Sequence, residues 1–200
     1  MRAALGIGDK PSLPARLKFI AMNSEFRCVA TYRFSQYVAE LAEHRNLLAL
    51  PAKVLYRLLN RWATHVDHTD ISAGARIGPG LVLMHRSGVI VGPVSIGDNC
   101  VVHHNVTIGQ RVARGDQGVP RIGDRVWIGP GCIITGSIAI GDDVIISAGS
   151  VLSRDVPSGC LVAGNPARVI AKDYDNTDFI GLLPAEGRSA GPTNGASLNR

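Results

Sequence analysis

Residues 121–152 read RIGDRVWIGPGCIITGSIAIGDDVIISAGSVL. Within them Ile122, Ile128, Ile134, Ile140, Ile146 and Leu152 stand six apart without an error, with Gly following at 123, 129 and 141. A repeat of six fits neither the helical period nor simple strand alternation. It is the signature of a hexapeptide β-helix, in which short strands meet at tight corners and the inward aliphatics stack as ladders.

The same spacing extends upstream. Ile71, Ile77, Leu83 and Val89 keep it, and Ile90, Ile96, Val102 and Ile108 keep it again, shifted by one. At about 18 residues per three-sided turn, residues 70–156 predict four to five coils. The phase breaks twice. One extra residue enters between Leu83 and Ile90, beside His85, and eight enter between Ile108 and Ile122. The second insert, QRVARGDQGVP at 110–120, is polar and Gly-rich and reads as a loop over 110–121, where a rigid scaffold can carry function.

The predicted fold is therefore mainly β with an α-helical N-terminal part: a helical segment at 1–65, a hexapeptide-repeat β-helix at 66–170, and a tail at 171–200. The lead is apolar at three- and four-residue spacing, with Pro51 expected to separate two helices. The stretch PAEGRSAGPTNGASLNR predicts disorder after 184.

Composition narrows the function classes. The chain has 200 residues, 46 % apolar but only 5 % aromatic, so Val, Ile, Leu and Ala must fill the core. A net charge of +5 permits an anionic partner, yet without a stacking aromatic array no nucleic-acid partner is expected. Cys28, Cys100, Cys132 and Cys160 form no C-x-x-C pair, which favours reduced thiols over a zinc knuckle or a disulfide framework. No signal peptide and no apolar run of about 20 residues is visible, so a cytoplasmic location without a membrane partner is expected.

The stretches DISAGARIGPGLVLMHRSGVIVGPVSIGDNCVVHHNVTIG (70–109), RIGDRVWIGPGCIITGSIAIGDDVIISAGSVLSRDVP (121–157) and AGNPARVI (163–170) resemble the serine acetyltransferase-like branch of the hexapeptide-repeat acyltransferases. The lead LPAKVLYRLLNRW is similar to that of relatives acetylating glycan precursors. The resemblance implies a left-handed parallel β-helix, a homotrimer with a hexamer as the alternative, and acetyl-CoA bound between subunits as co-substrate, with no metal. It also implies a catalytic pair, since His85 of His85-Arg86-Ser87-Gly88 matches the family's catalytic His, and Asp70, fifteen residues earlier, its Asp. An imidazole can take the proton of an acceptor hydroxyl near neutral pH, and a carboxylate on the other ring nitrogen would hold its tautomer.

By the same resemblance the CoA chain runs past Gly129 and Ala148, with Arg154, Arg168 and Lys172 as candidates for its phosphates. His103 and His104, with Arg111, Arg114 and Asp116 of the loop, are candidates for the acceptor. The expected reaction is acetyl transfer from acetyl-CoA to a hydroxyl of a small metabolite or sugar. L-Serine is the alternative acceptor, because the chain departs from serine acetyltransferases at Met84, where they carry an acid, and at Gly118-Val119-Pro120, where they carry Arg-His-Pro. A γ-carbonic-anhydrase-like zinc enzyme built on stacked histidines and a non-catalytic β-helix scaffold are further alternatives.

Overall fold

The computed structural model describes residues 12–111 and 118–180. The expected loop contacts Arg114 and Asp116, and the stretch after 184, lie outside the described residues. Three helices lead the chain: α1 (Leu13–Met22), α2 (Ser24–Glu43) and α3 (Ala49–Val66). Pro51 does not divide two helices. It stands in the first turn of α3, where a missing N–H breaks no intrahelical bond, and the break falls just before it. The helices dock on the first coil through polar groups of α2. The Tyr32 hydroxyl donates to the Ala75 carbonyl at 2.8 Å and accepts from the Ile77 N–H at 3.1 Å, and Arg33 donates to the Ile77 and Gly78 carbonyls.

Short strands then wind into a three-sided parallel solenoid, consistent with the left-handed β-helix that the family resemblance implies. One face stacks β1 (Thr69–Ile71), β4 (Val89–Val91), β7 (Thr107–Gly109), β10 (Ile133–Thr135) and β13 (Val151–Leu152). A second stacks β2 (Arg76–Ile77), β5 (Ser95–Ile96), β8 (Arg121–Ile122) and β11 (Ala139–Ile140). The third stacks β3 (Val82–Met84), β6 (Val101–His103), β9 (Trp127–Ile128), β12 (Ile145–Ile146) and β14 (Leu161–Gly164), and ends in the antiparallel β15 (Ala167–Ala171).

Three aliphatic ladders fill the prism: Ile71, Val91, Ile108, Ile134 and Leu152; Ile77, Ile96, Ile122 and Ile140; and Leu83, Val102, Ile128, Ile146 and Val162, all buried. One expected rung is wrong. Ile90 faces outward at 53 % exposure, and Val91 takes its place. The corner after Leu83 thus holds two extra residues rather than one, and the side from Val91 to Ile96 is one shorter.

The recurring Ile-Gly-Asp corners have a structural purpose. The N–H of Asp98 donates to the Asp124 carboxylate and that of Asp124 to the Asp142 carboxylate, each at 2.8 Å, and the N–H of Asp142 donates to the Ser158 hydroxyl at 3.0 Å. Each coil thereby satisfies a corner donor of the coil before it. At the far end the segment after β15 folds back. The buried Asn176 donates to the Arg125 carbonyl at 2.9 Å, and Arg125 itself pairs with Asp143 of the next coil at 2.7 Å.

Candidate active site

The irregular corner carries His85. Leu83 pairs with Val102 and Met84 with His103, a stagger of nineteen residues, so His85 stacks on His104. The three rings form a triangle: His85 to His104 is 6.0 Å between centroids, His85 to His103 is 6.5 Å, and His103 to His104 is 6.4 Å. His85 is exposed, whereas the other two are half-buried. The His104 Nδ1 is buried and accepts or donates no hydrogen bond. Among the described residues no group of His, Cys, Asp and Glu is arranged to hold a metal ion.

His85 projects because its backbone is in the left-handed region, at φ 53°, and the corner is closed by Gly88 at φ 73°. A Cβ on Gly88 would lie 2.3 Å from the Asn105 Oδ1, so the glycine of the His-x-x-Gly stretch answers both a backbone angle and a close approach. The corner is tied to the turn that leads out of α3. Gly88 N–H donates to the His68 carbonyl at 2.8 Å, and the Thr69 hydroxyl donates to the Arg86 carbonyl at 2.7 Å.

Beneath lies Asp67, whose side chain is fully buried and receives Arg27 at 2.6 Å and Arg86 at 3.1 Å. Burial by itself would raise its pKa. The hydrogen bonds and charges of the two guanidiniums outweigh that, and the carboxyl sits below its usual range. Asp67 was absent from the expected site residues. Its signal in the sequence was only the polar cluster HVDHTD at 65–70, which reads as an interdomain turn with satisfied polar groups. Asp70, by contrast, lies on the outer surface of β1, in register with Ile90. Among the described residues no hydrogen bond or ion pair joins Asp70 to His85.

An aromatic shelf flanks the triangle. The His103 ring meets Trp127 edge-on at 4.7 Å, and Trp127 meets Phe179 of the short helix α4 (Thr177–Ile180) at 5.2 Å. Burial, then the nearby His104 and His85, lower the His103 pKa, so its imidazole is neutral at neutral pH.

Of the remaining expected residues Gly129 and Ala148 follow the same edge, whereas Arg111 and Arg154 stand at the corner between the first and second faces. Backbone hydrogen bonds from Gly131 to His104 and from Gly149 to Pro130 place His85, His104, Pro130 and Ala148 at equivalent positions of successive coils. Three coil steps span about 14 Å. Gly129 is buried, and a Cβ there would come within 2.8 Å of the Ala148 nitrogen and the Ile146 carbonyl oxygen. Coil stacking alone therefore requires glycine at 129. Ala148 is exposed. Arg154 and Arg168 line one pocket of about 160 Å³ at the C-terminal end of the solenoid. Lys172 and Arg111 are exposed, and Arg111 packs its stem 3.7 Å from the position of a Cβ on Gly136.

All four cysteines are buried and free, and burial pushes the thiols of Cys28 and Cys100 up to about 11. Burial leaves none of the four placed to reach a substrate as a nucleophile.

Comparison with known proteins fits this geometry. Residues 120–154 match the family described as bacterial transferase hexapeptide (six repeats), and residues 85–110 match the hexapeptide repeat of succinyl-transferase. The serine acetyltransferase of Synechococcus elongatus is 40 % identical over 62 % of this chain and 52 % of its own. That of Helicobacter pylori strain 26695 is 37 % identical over 58 % of this chain and 69 % of its own. The crystal structure of serine acetyltransferase in complex with coenzyme A from Brucella abortus strain S19 superposes with a TM-score of 0.64 at 33 % identity, covering 74 % of this chain and 56 % of that one. The chain spans about half the length of several curated relatives that it matches. With a relative 37 % identical matched over 69 % of that relative's length and the hexapeptide repeat in common, it belongs to the serine acetyltransferase family of hexapeptide-repeat transferases.

Proposed function

We propose that this chain is an acetyl-CoA-dependent O-acetyltransferase in which His85 is the general base. The observation that carries this reading is the exposed imidazole of His85, held on an irregular corner at the head of the edge that it shares with His104 and Ala148. An acceptor hydroxyl hydrogen-bonded to His85 gives up its proton as its oxygen attacks the thioester carbonyl. The C–S bond breaks, and the CoA thiolate takes a proton on leaving. Transfer is direct, since the cysteines are buried. Asp70 is the proposed partner of His85 once substrate draws the ring toward it. The edge past Ala148 suits an extended acyl-CoA arm, and Arg154 and Arg168 suit its phosphates. A homotrimer in the cytoplasm, with the acyl donor between subunits, belongs to this proposal.

L-Serine is the favoured acceptor, because the relatives of known name are serine acetyltransferases. A sugar or other metabolite hydroxyl is the second reading, and it rests on Met84, Val119 and the paired His103 and His104. Met84 and Val119 stand where serine acetyltransferases carry charged or imidazole groups, and a zwitterion left without charged partners loses affinity. The test is acetyl-CoA turnover, read as thiol release, for the wild type and His85→Ala with L-serine, amino sugars and nucleotide sugars. A loss of more than about a hundredfold in the variant is expected. Retained turnover removes His85 from the mechanism, and the acceptor that turns over decides between the two readings.

A further inference from the structure

Helix α3 (Ala49–Val66) has three faces. Ala52, Tyr56, Asn60 and Ala63 turn inward, toward α2 and β1. A second face, with the turn before it, is apolar and open: Leu47 is 94 % exposed, Leu58 is 62 % exposed, and Val54, Trp62 and Val66 are close to half exposed. Val54, Leu58, Trp62 and Val66 repeat every four residues, so they form one stripe along the helix. Lys53, Arg57, Arg61 and His65 repeat every four residues beside it and are all exposed. No Asp or Glu occurs between residues 44 and 66. Among the described residues Lys53, Arg57 and Arg61 make no ion pair. Arg27 adds a further cation, its guanidinium 4.9 Å over the Trp62 ring.

A monomer surface has no use for a leucine exposed at a turn tip and a continuous apolar stripe below it. We propose that α3 lies flat on an anionic lipid surface, its stripe from Leu47 to Val66 in the acyl boundary and its basic row against the headgroups. The charge selects this occupant over a second copy of the chain. In an antiparallel pair of copies Lys53, Arg57 and Arg61 would face their own counterparts, and like charges opposite one another oppose association. Against a bilayer the same row is paired along its whole length, about 18 Å. Trp62, half exposed on the stripe, has the apolar body and polar N–H that favour the headgroup boundary. No described helix is long and apolar enough to cross a membrane, but lying on one requires only an amphipathic face. The proposal departs from the expectation of no membrane partner, which rested on the lack of a signal peptide and of a spanning run, and it is independent of which hydroxyl is acetylated.

The experiment is co-sedimentation of the full chain with vesicles of phosphatidylcholine alone or mixed with phosphatidylglycerol, at low and high salt. Leu58→Asp and the double variant Arg57→Glu/Arg61→Glu are compared with the wild type. Wild type pellets with the anionic vesicles, at least about tenfold more tightly than with neutral ones, and salt weakens the binding. Either variant loses about tenfold while keeping its thermal midpoint and acetyl-CoA turnover, since these side chains project away from the core. No pelleting, equal binding to neutral vesicles, or binding indifferent to both variants overturns the proposal. So does self-association abolished by Leu58→Asp without vesicle binding, which assigns the stripe to a second copy.

Discussion

The helical lead and the solenoid are both rich in aliphatic side chains, and they treat them in opposite ways. Ile128 and Ile146 are fully buried, because every coil is covered by the next. Leu47 and Leu58 are bare, because α3 has a neighbour on one side only. An apolar residue contributes to stability through what covers it, and repetition supplies that cover automatically inside the prism. Beside the prism it must come from something else.

Truncation should expose this contrast most sharply in the solenoid. Ile128→Ala, which empties a rung with coils above and below, is expected to cost about 2–5 kcal/mol in denaturant unfolding. Asp67→Asn, at the seam between the two regions, should cost about 2 kcal/mol, since it leaves Arg27 and Arg86 without a carboxylate. The seam also carries a pH dependence with a definite sign. Asp67 has its pKa depressed by folding, so its contribution is complete above the ordinary carboxylate value of about 3.9 and is lost as acid titrates it below that value. Acid unfolding of wild type and Asp67→Asn should therefore converge as the pH falls through the depressed pKa of Asp67. Smallest of all, Leu58→Ser should shift stability by no more than about 0.5 kcal/mol in either direction. A large loss there would mean that α3 is covered in solution and would erase the contrast.

The solenoid was legible because its period is unlike that of any other element. Six consecutive aliphatics at 122–152 leave no competing phase. Where Val89, Ile90 and Val91 are all apolar, spacing alone cannot say which one takes the rung, and the rung falls to Val91 rather than Ile90. The histidine triangle was partly legible, since a count of nineteen from His85 reaches His104. Its surroundings were not. Trp127 and Phe179 lie 52 positions apart in the chain, and Arg27, Asp67 and Arg86 come from a helix, a turn and a corner. Contacts of that kind depend on how elements dock, and neither period nor spacing records docking. The acceptor is illegible for a related reason: Met84 and Val119 say which charges are missing, not which shape fills their place.

Finally, the reversal of direction at β15 bears on how such a molecule avoids growing into a fibre. A stack of parallel coils ends in an open strand edge, and an open edge is a template for the next chain. Here Ala167–Ala171 runs antiparallel to Leu161–Gly164, so an incoming coil would meet a strand of the wrong polarity on that face. The same strand brings exposed Arg168 to the edge, and Lys172 follows it. Charge at an edge opposes pairing. The residues proposed to greet an anionic donor thus also act as gatekeepers, and replacing both with apolar side chains would test solubility as much as catalysis.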